Sequence, residues 1–236
     1  MIRSIIKKMQ RNVNKKVEGP LMSNFFLKKY QSRFLEFKTV FDIGAYHGGF
    51  IDEILQLNDN IHVHGFEPYS ESYEFLKKKY HQNRHIKINH CAVSDYTGRS
   101  NFNINALKET NSLLESISVS KEIDLLTQKE FGENVQVISL TDYCYDNKVK
   151  MIDLVKIDAQ GLSYNILKGM TGLLHNRSIR YLYVEAEFIE IYKNEKLFSE
   201  IEILMRTFGY HIVDFYNFNY LDNSQLAWCD VLFEKN

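Results

Sequence analysis

Residues 40–50 read VFDIGAYHGGF: a short apolar run with one aspartate inside it, then three glycines, Gly44, Gly48 and Gly49, within six positions. An apolar run of this length bounded by glycine fits a strand covered on both faces. Glycines between such a strand and a helix let backbone amides approach a ligand where a Cβ would clash. The spacing is D-x-G-x-x-x-G, with Asp42 two residues before Gly44. The dinucleotide fingerprint G-x-G-x-x-G starts on a glycine and serves a pyrophosphate, which has little use for an acid in that place. A ligand bearing an ammonium group does, and the stretch therefore points away from a nicotinamide dinucleotide.

Outward from this stretch the chain alternates between two periods. KTVFDIGA is strand-like, GGFIDEILQL has helical spacing at Phe50, Ile54 and Leu57, and IHVHGFEP is a second strand ended by Pro68. SESYEFLKKKY is helical with Ser70 as its cap, and HIKINHCAVSD is a third strand. Strand, helix, strand, helix, strand argues an α/β fold with a parallel sheet. The middle departs from this rhythm: SNFNINAL is an extra strand, residues 112–130 are loosely helical, and VQVISL is strand-like. This excursion, near 100–150, is read as a substrate-facing insertion. The alternation then resumes with the strand DLVKIDA, a helix over LSYNILKGMTGLL and the strand IRYLYVEAEF. NEKLFSEIEILMRTFG is the clearest helix, with Asn194 to cap it and Gly209 to end it. Two final strands, YHIVDFYNF and LAWCDVLFEK, are joined by a turn and should run antiparallel.

Composition narrows the function. The chain of 236 residues fits one large domain, and 44% hydrophobic residues with two prolines suit a packed core. A net charge of −1 gives no general case for nucleic acid. Cys91, Cys144 and Cys229 are widely spaced, without zinc spacing, and read as reduced cytoplasmic thiols. No signal peptide is read at the start. Residues 1–29 hold eight basic side chains against Glu18 alone, a net +7 that leaves −8 for the rest. Residues 1–37 are therefore read as a basic helical leader before a domain over 38–236. Its charge suits a solvated helix or a peripheral contact with the inner membrane face.

The second strand must agree with the glycine loop, and it does. Glu67 ends it 25 residues after Asp42, where an acid accepts hydrogen bonds from ribose hydroxyls. Ala92 and Val93 at the third strand can flank an adenine. S-adenosylmethionine combines these features: a nucleoside, a zwitterionic amino-acid end and a sulfonium. Asp158, Glu185 and Glu187 lie at carboxyl ends of later strands, and His47 lies in the loop. These four are the candidates to position or deprotonate an acceptor. No metal is assigned.

FDIGAYHGGF, GFEPYSESYEFL, CAVSDYTGRSNF, NSLLES, VISLTDYC and LVKIDAQGLSYNILKGM follow one another in an order that resembles the FkbM family of S-adenosylmethionine-dependent methyltransferases. The resemblance runs from about residue 38 to about 190. It implies a doubly wound, Rossmann-like sheet of seven strands, mostly parallel, with the last strand antiparallel. It implies S-adenosylmethionine as cofactor, S-adenosylhomocysteine as product, and methyl transfer to a hydroxyl of a sugar or glycan precursor. Asp42, Gly44, Ala45, Tyr46, Gly48, Glu67, Pro68, Ala92, Val93 and Asp158 are expected to bind the cofactor. Two departures stand out. Gln160 and Ser163 replace acids of the family pattern K-I-D-x-E-G-x-E, and Tyr46-His47 replaces an asparagine of its glycine loop. A methyltransferase of a small secondary metabolite and a cofactor-binding module with reduced catalysis are the rival readings.

Overall fold

Strand β1 (Thr39–Ile43) is buried from Val40 to Ile43, so both of its faces need cover. In the computed structural model, which describes residues 28–236, the cover comes from helices on both sides. Phe41 and Ile43 point into one core, with Leu140, Ile166, Leu174, Ile201 and Met205. Val40 points into the other, with Ile51, Ile54, Leu76 and Leu232. Alternation along the strand thus feeds two hydrophobic layers at once.

The elements follow the chain as α1 (Gln31–Phe34), β1, α2 (Gly49–Leu57), β2 (His62–Phe66), α3 (Ser70–Lys79), β3 (Ile86–Asn89), β4 (Ala92–Val93) and β5 (Gly98–Asn105). Then come α4 (Lys121–Leu126), β6 (Lys129–Ile138), α5 (Leu140–Asn147), β7 (Ile152–Ile157), α6 (Ser163–Lys168) and α7 (Thr171–His175). The last are β8 (Ile179–Glu187), α8 (Phe198–Thr207), β9 (Tyr210–Tyr220) and β10 (Leu226–Lys235). Seven strands form the main sheet in the order β3-β2-β1-β7-β8-β10-β9. The first five are mutually parallel, and β10 is antiparallel to both β8 and β9. The doubly wound α/β fold and its antiparallel final strand are as expected. The chain moves outward from β1 to β3 and returns on the other side at β7, which creates a switch point between β1 and β7. Crevices at such points take ligands.

Several local expectations need correction. HIKINHCAVSD is two strands: β3 belongs to the main sheet, while β4 pairs with β6 in a separate three-stranded sheet, β4-β6-β5. Asn89 ends β3, its Nδ2 donating to Gly65 O and its Oδ1 accepting from Tyr143. Strand β6 starts at Lys129, well before VQVISL, because antiparallel pairing with β5 extends it through exposed residues that carry no apolar alternation. In residues 112–130 only Lys121–Leu126 is α-helical. The helix over LSYNILKGMTGLL breaks at Gly169, whose added Cβ would lie 2.1 Å from Ser94 O. Ser70 is the first residue of α3, and no side chain caps that helix. Asn194 does not cap α8, which starts four residues later. There the Glu200 carboxylate accepts from Leu197 N at 3.0 Å. The leader read over 1–37 lies outside the described residues up to position 27. Beyond that, Phe34 and Phe37 are buried in the core and Phe37 stacks on Tyr181, so the end of that segment is part of the domain body. Among the described residues, no helix is long and apolar enough to cross a membrane.

Candidate active site

The loop after β1 is shaped by two glycines in the left-handed region, Gly44 (φ +79°) and Gly48 (φ +77°). A Cβ on Gly44 would fall 1.7 Å from the carbonyl oxygen of Asp158, so the two strand ends at the switch point approach as only glycine permits. Gly44 N and Ala45 N both donate to Phe66 O at 3.1 Å, tying the loop to the end of β2. Glu67 follows directly. Its Oε2 accepts from Tyr46 N at 2.8 Å and its Oε1 from Tyr69 N at 2.9 Å. Burial pushes Glu67 up to about 7, against the opposing effect of those two amides. One cavity lies across this switch point. Its wall holds Gly44, Tyr46, Glu67, Pro68, Ala92, Val93 and Asp158, all of which the sequence marks as cofactor residues.

The other sequence candidates lie elsewhere. Asp42 is fully buried beneath the loop and is not in the wall of this cavity. Its cross-strand neighbour on β7 is Lys156, whose Nζ lies 3.2 Å from Asp42 Oδ1 and 3.3 Å from Asp158 Oδ2. Burial raises Asp42, and Lys156 opposes that rise. Burial alone would lower Lys156, but Asp42 and Asp158 hold it above its ordinary range. The acid expected to face a cationic ligand is therefore neutralised from within the sheet. Ala45 and Gly48 shape the loop from behind, with Gly48 packed against Tyr80. His47 points outward, stacked on Tyr46 at 3.9 Å and beside Phe75, and lines neither cavity.

A second cavity adjoins the first and shares Glu109 and Gln160 with it. Glu185 and Glu187, from the end of β8, lie in its wall with Tyr192 and Trp228. Gln160 joins the two sides. Its Nε2 donates to Asp158 Oδ1 at 3.1 Å and to Glu185 Oε2 at 3.0 Å, and its Oε1 accepts from Tyr192 OH at 3.0 Å. Burial, then Asp158 and Glu187, raises Glu185 well above the carboxylate range. Asp230 is its direct partner across β10, another like charge. Burial, then Glu195, pushes Glu187 up to about 8. Ser163, which like Gln160 replaces an acid of the family pattern, is buried and donates to Glu185 O at 2.7 Å, so it supports β8 from outside the two cavities. Among the described residues, no three His, Cys, Asp or Glu side chains are arranged to hold a metal ion.

Lys156, Tyr192, Trp228 and Asp230 were missed as site residues. A lysine inside the apolar strand VKI was a usable signal, since lysine is almost never buried without a partner. Trp228 and Asp230 carry no local signal, because only the antiparallel return of β10 beside β8 brings them to the site, and Tyr192 is placed by the segment after β8 pairing with Ser116 and bonding Gln160.

A switch-point cavity over a glycine cradle, with an acid at the end of the second strand, makes this a Rossmann-like methyltransferase fold. Residues 42–212 match the methyltransferase FkbM domain, and the chain belongs to that family. Membership makes S-adenosylmethionine the cofactor. The cavity fits it: the bare Gly44 backbone and Asp158 line it at the switch point, Glu67 presents a buried carboxylate, and Ala92 and Val93 offer apolar walls. A comparison with curated proteins gave no match. Among solved structures, the chain is similar to StiE O-MT at 11% identity and TM-score 0.50, over 89% of this chain and 73% of that one. It is also similar to magnesium protoporphyrin IX methyltransferase from Synechocystis PCC 6803 with bound SAM (9%, TM-score 0.49, 100% and 95% covered). A third is precorrin-6y C5,15-methyltransferase from Geobacter metallireducens GS-15 (9%, TM-score 0.48, 94% of each chain).

Proposed function

We propose that the chain transfers a methyl group from S-adenosylmethionine to a hydroxyl of a sugar or glycan precursor. The observation that carries this reading is the pair of adjoining cavities that meet at Gln160, one fitted to the cofactor and the other lined by carboxyls and aromatic rings. Carboxyls that accept hydrogen bonds, beside apolar ring faces, suit a polyhydroxylated ring.

When bound, the cofactor supplies an electrophilic methyl group. The residues of the chain do the rest. Glu67 accepts from the ribose hydroxyls, and Ala92 and Val93 flank the base. Asp158 faces the cofactor cavity and is joined through Gln160 to the acceptor side. It has the cationic partner, Lys156, that Glu185 and Glu187 lack at hydrogen-bonding range. Asp158 takes the proton of the acceptor hydroxyl as its oxygen bonds to carbon. Glu185, raised well above the carboxylate range by burial, orients the acceptor. Alignment and exclusion of water supply most of the rate.

The test is incubation with S-adenosylmethionine and a panel of sugars, lipid-linked glycan precursors and small hydroxylated metabolites. S-adenosylhomocysteine formation and the mass gain of one methyl are read, with the position fixed by NMR. Transfer only to nitrogen, sulfur or carbon overturns the O-methyl reading. Transfer only to non-sugar hydroxyls moves the assignment to a secondary metabolite.

A further inference from the structure

We propose that the acceptor carries a protonated amine, which the second cavity holds against Glu187 while a neighbouring hydroxyl takes the methyl group. The class of acceptor is an amino sugar or another cyclic amino alcohol. This rests on the methyltransferase reading above for the placement of the acceptor.

Glu187 is 3% exposed and lines the second cavity. Its Oε1 accepts from Gly161 N at 3.2 Å, while its Oε2 is buried without any hydrogen-bond partner. A buried carboxyl oxygen left unpaired is costly, and the lining of the cavity offers no cation to relieve it. Among the described residues, the charged side chains there are Glu109, Glu185 and Glu187, with no lysine, arginine or histidine. Lys156, close to Glu185, is already committed to Asp42 and Asp158. Glu195, in the segment after β8, adds another carboxylate beside Glu187, and its Oε2 is likewise unpartnered.

A phosphate or carboxylate group would be repelled by this wall. A neutral hydroxyl donates one hydrogen bond and brings no charge that would let Glu187 ionise. An ammonium group donates three and supplies the missing positive charge. The rings of Tyr192 and Trp228 in the same wall add faces that favour a cation. An ammonium has no lone pair with which to attack carbon, so the amine anchors and the adjacent hydroxyl reacts. Burial and Glu195 favour the protonated form of Glu187, so docking of an ammonium expels a proton.

Calorimetry on the full chain with saturating S-adenosylhomocysteine tests this without turnover. Two probe pairs are compared: D-glucosamine with D-glucose, and cyclohexylammonium with cyclohexanol. At least one amine should bind 10-fold or more tightly than its neutral counterpart. For cyclohexylammonium, the heat should vary with buffer ionisation enthalpy, the mark of a released proton. Glu187→Gln should remove the preference and leave S-adenosylhomocysteine affinity within about twofold. Equal or tighter binding of both neutral probes, or no binding of either amine at millimolar concentration, overturns the proposal on the unmodified chain alone. Amine binding without methyl transfer to any hydroxyl sinks the O-methyltransferase reading and leaves the cation site standing. Methyl transfer to neutral sugars with no amine binding does the reverse.

Discussion

Lys156→Met breaks the buried ion pair beneath the glycine loop while keeping most of the volume of the side chain. Asp42 is wholly buried, and its neighbour is 13% exposed, so solvent screens the pair little. At 3.2 Å, two unit charges attract by roughly 5 kcal/mol at an effective dielectric near 20. Desolvation of both ions offsets much of that gain, yet removing one partner strands the other, which typically costs about 3–5 kcal/mol. Asp42 has no hydrogen bond from elsewhere to soften the loss. For a domain of this size the thermal midpoint should fall by roughly 6–20 °C. The pH dependence follows from the direction of the Asp42 shift. Burial already raises it, and without Lys156 it rises further, so the ionised carboxyl disfavours the folded state. The deficit against the native chain should therefore grow as pH rises through the folded-state pKa of Asp42, and shrink in acid. Pairing Lys156→Met with Asp42→Leu removes the stranded charge and should recover most of the stability. Urea unfolding of the three variants at two pH values is the assay. A loss below about 1 kcal/mol in the single variant, or a double variant as unstable as the two single losses added, would refute the electrostatic account.

Glu67→Ala should weaken S-adenosylhomocysteine by about 1–3 kcal/mol in calorimetry, the scale of a lost charged hydrogen bond; unchanged affinity would remove Glu67 from the ribose site. Because burial pushes Glu67 up to about 7, cofactor affinity should rise as pH increases towards 7 and then level, since the ionised carboxyl is the better acceptor; a profile flat from pH 6 to 8 would contradict this. Gly44→Ala should cost at least about 1–2 kcal/mol from its left-handed backbone alone, and more from the approach to Asp158 O, seen as a lower urea midpoint together with weaker cofactor binding. Asp158→Asn should leave cofactor affinity within a few-fold and lower turnover by about 10²–10⁴, whereas full turnover would move the search for the base to Glu185, tested by Glu185→Gln.

The parallel half of the sheet was legible because both faces of its inner strands are buried. VFDI and DLVKI are nearly continuous apolar runs, as strands covered on two sides should be. The wall of the switch-point cavity was legible for a related reason: its residues sit at strand ends, and strand ends in such sheets point to ligands. Asp42 was placed correctly in sequence and wrongly in space. Strand alternation sends its side chain beneath the loop, towards Lys156, and the local spacing contains no statement about β7. Strand β6 was underestimated because its first half has no apolar face, its pairing coming from β5. The acceptor wall was half legible. Glu185 and Glu187 end one strand and could be found, but Trp228 depends on the tertiary return of β10, and Tyr192 on the pairing of its segment with Ser116.

Gln160 shows how a departure from a sequence pattern can be read once its surroundings are known. As a bare substitution, loss of the acid suggests a weakened enzyme. In the fold, the residue sits in the left-handed region at φ +52° with its amide between two carboxyls, from Asp158 and Glu185. An acid in the same place would set a third carboxyl against these two, and it would have no proton donors to offer either unless it stayed neutral. The amide supplies both donors, while its own oxygen is fixed by Tyr192, so its orientation is determined by its partners. The consequence is positional. Asp158 is held at the first cavity and Glu185 at the second by one hydrogen-bonded bridge, which is the arrangement the proposed transfer uses. The substitution therefore trades a negative charge for a fixed geometry, and the acidity that remains is concentrated on the acceptor wall at Glu185 and Glu187.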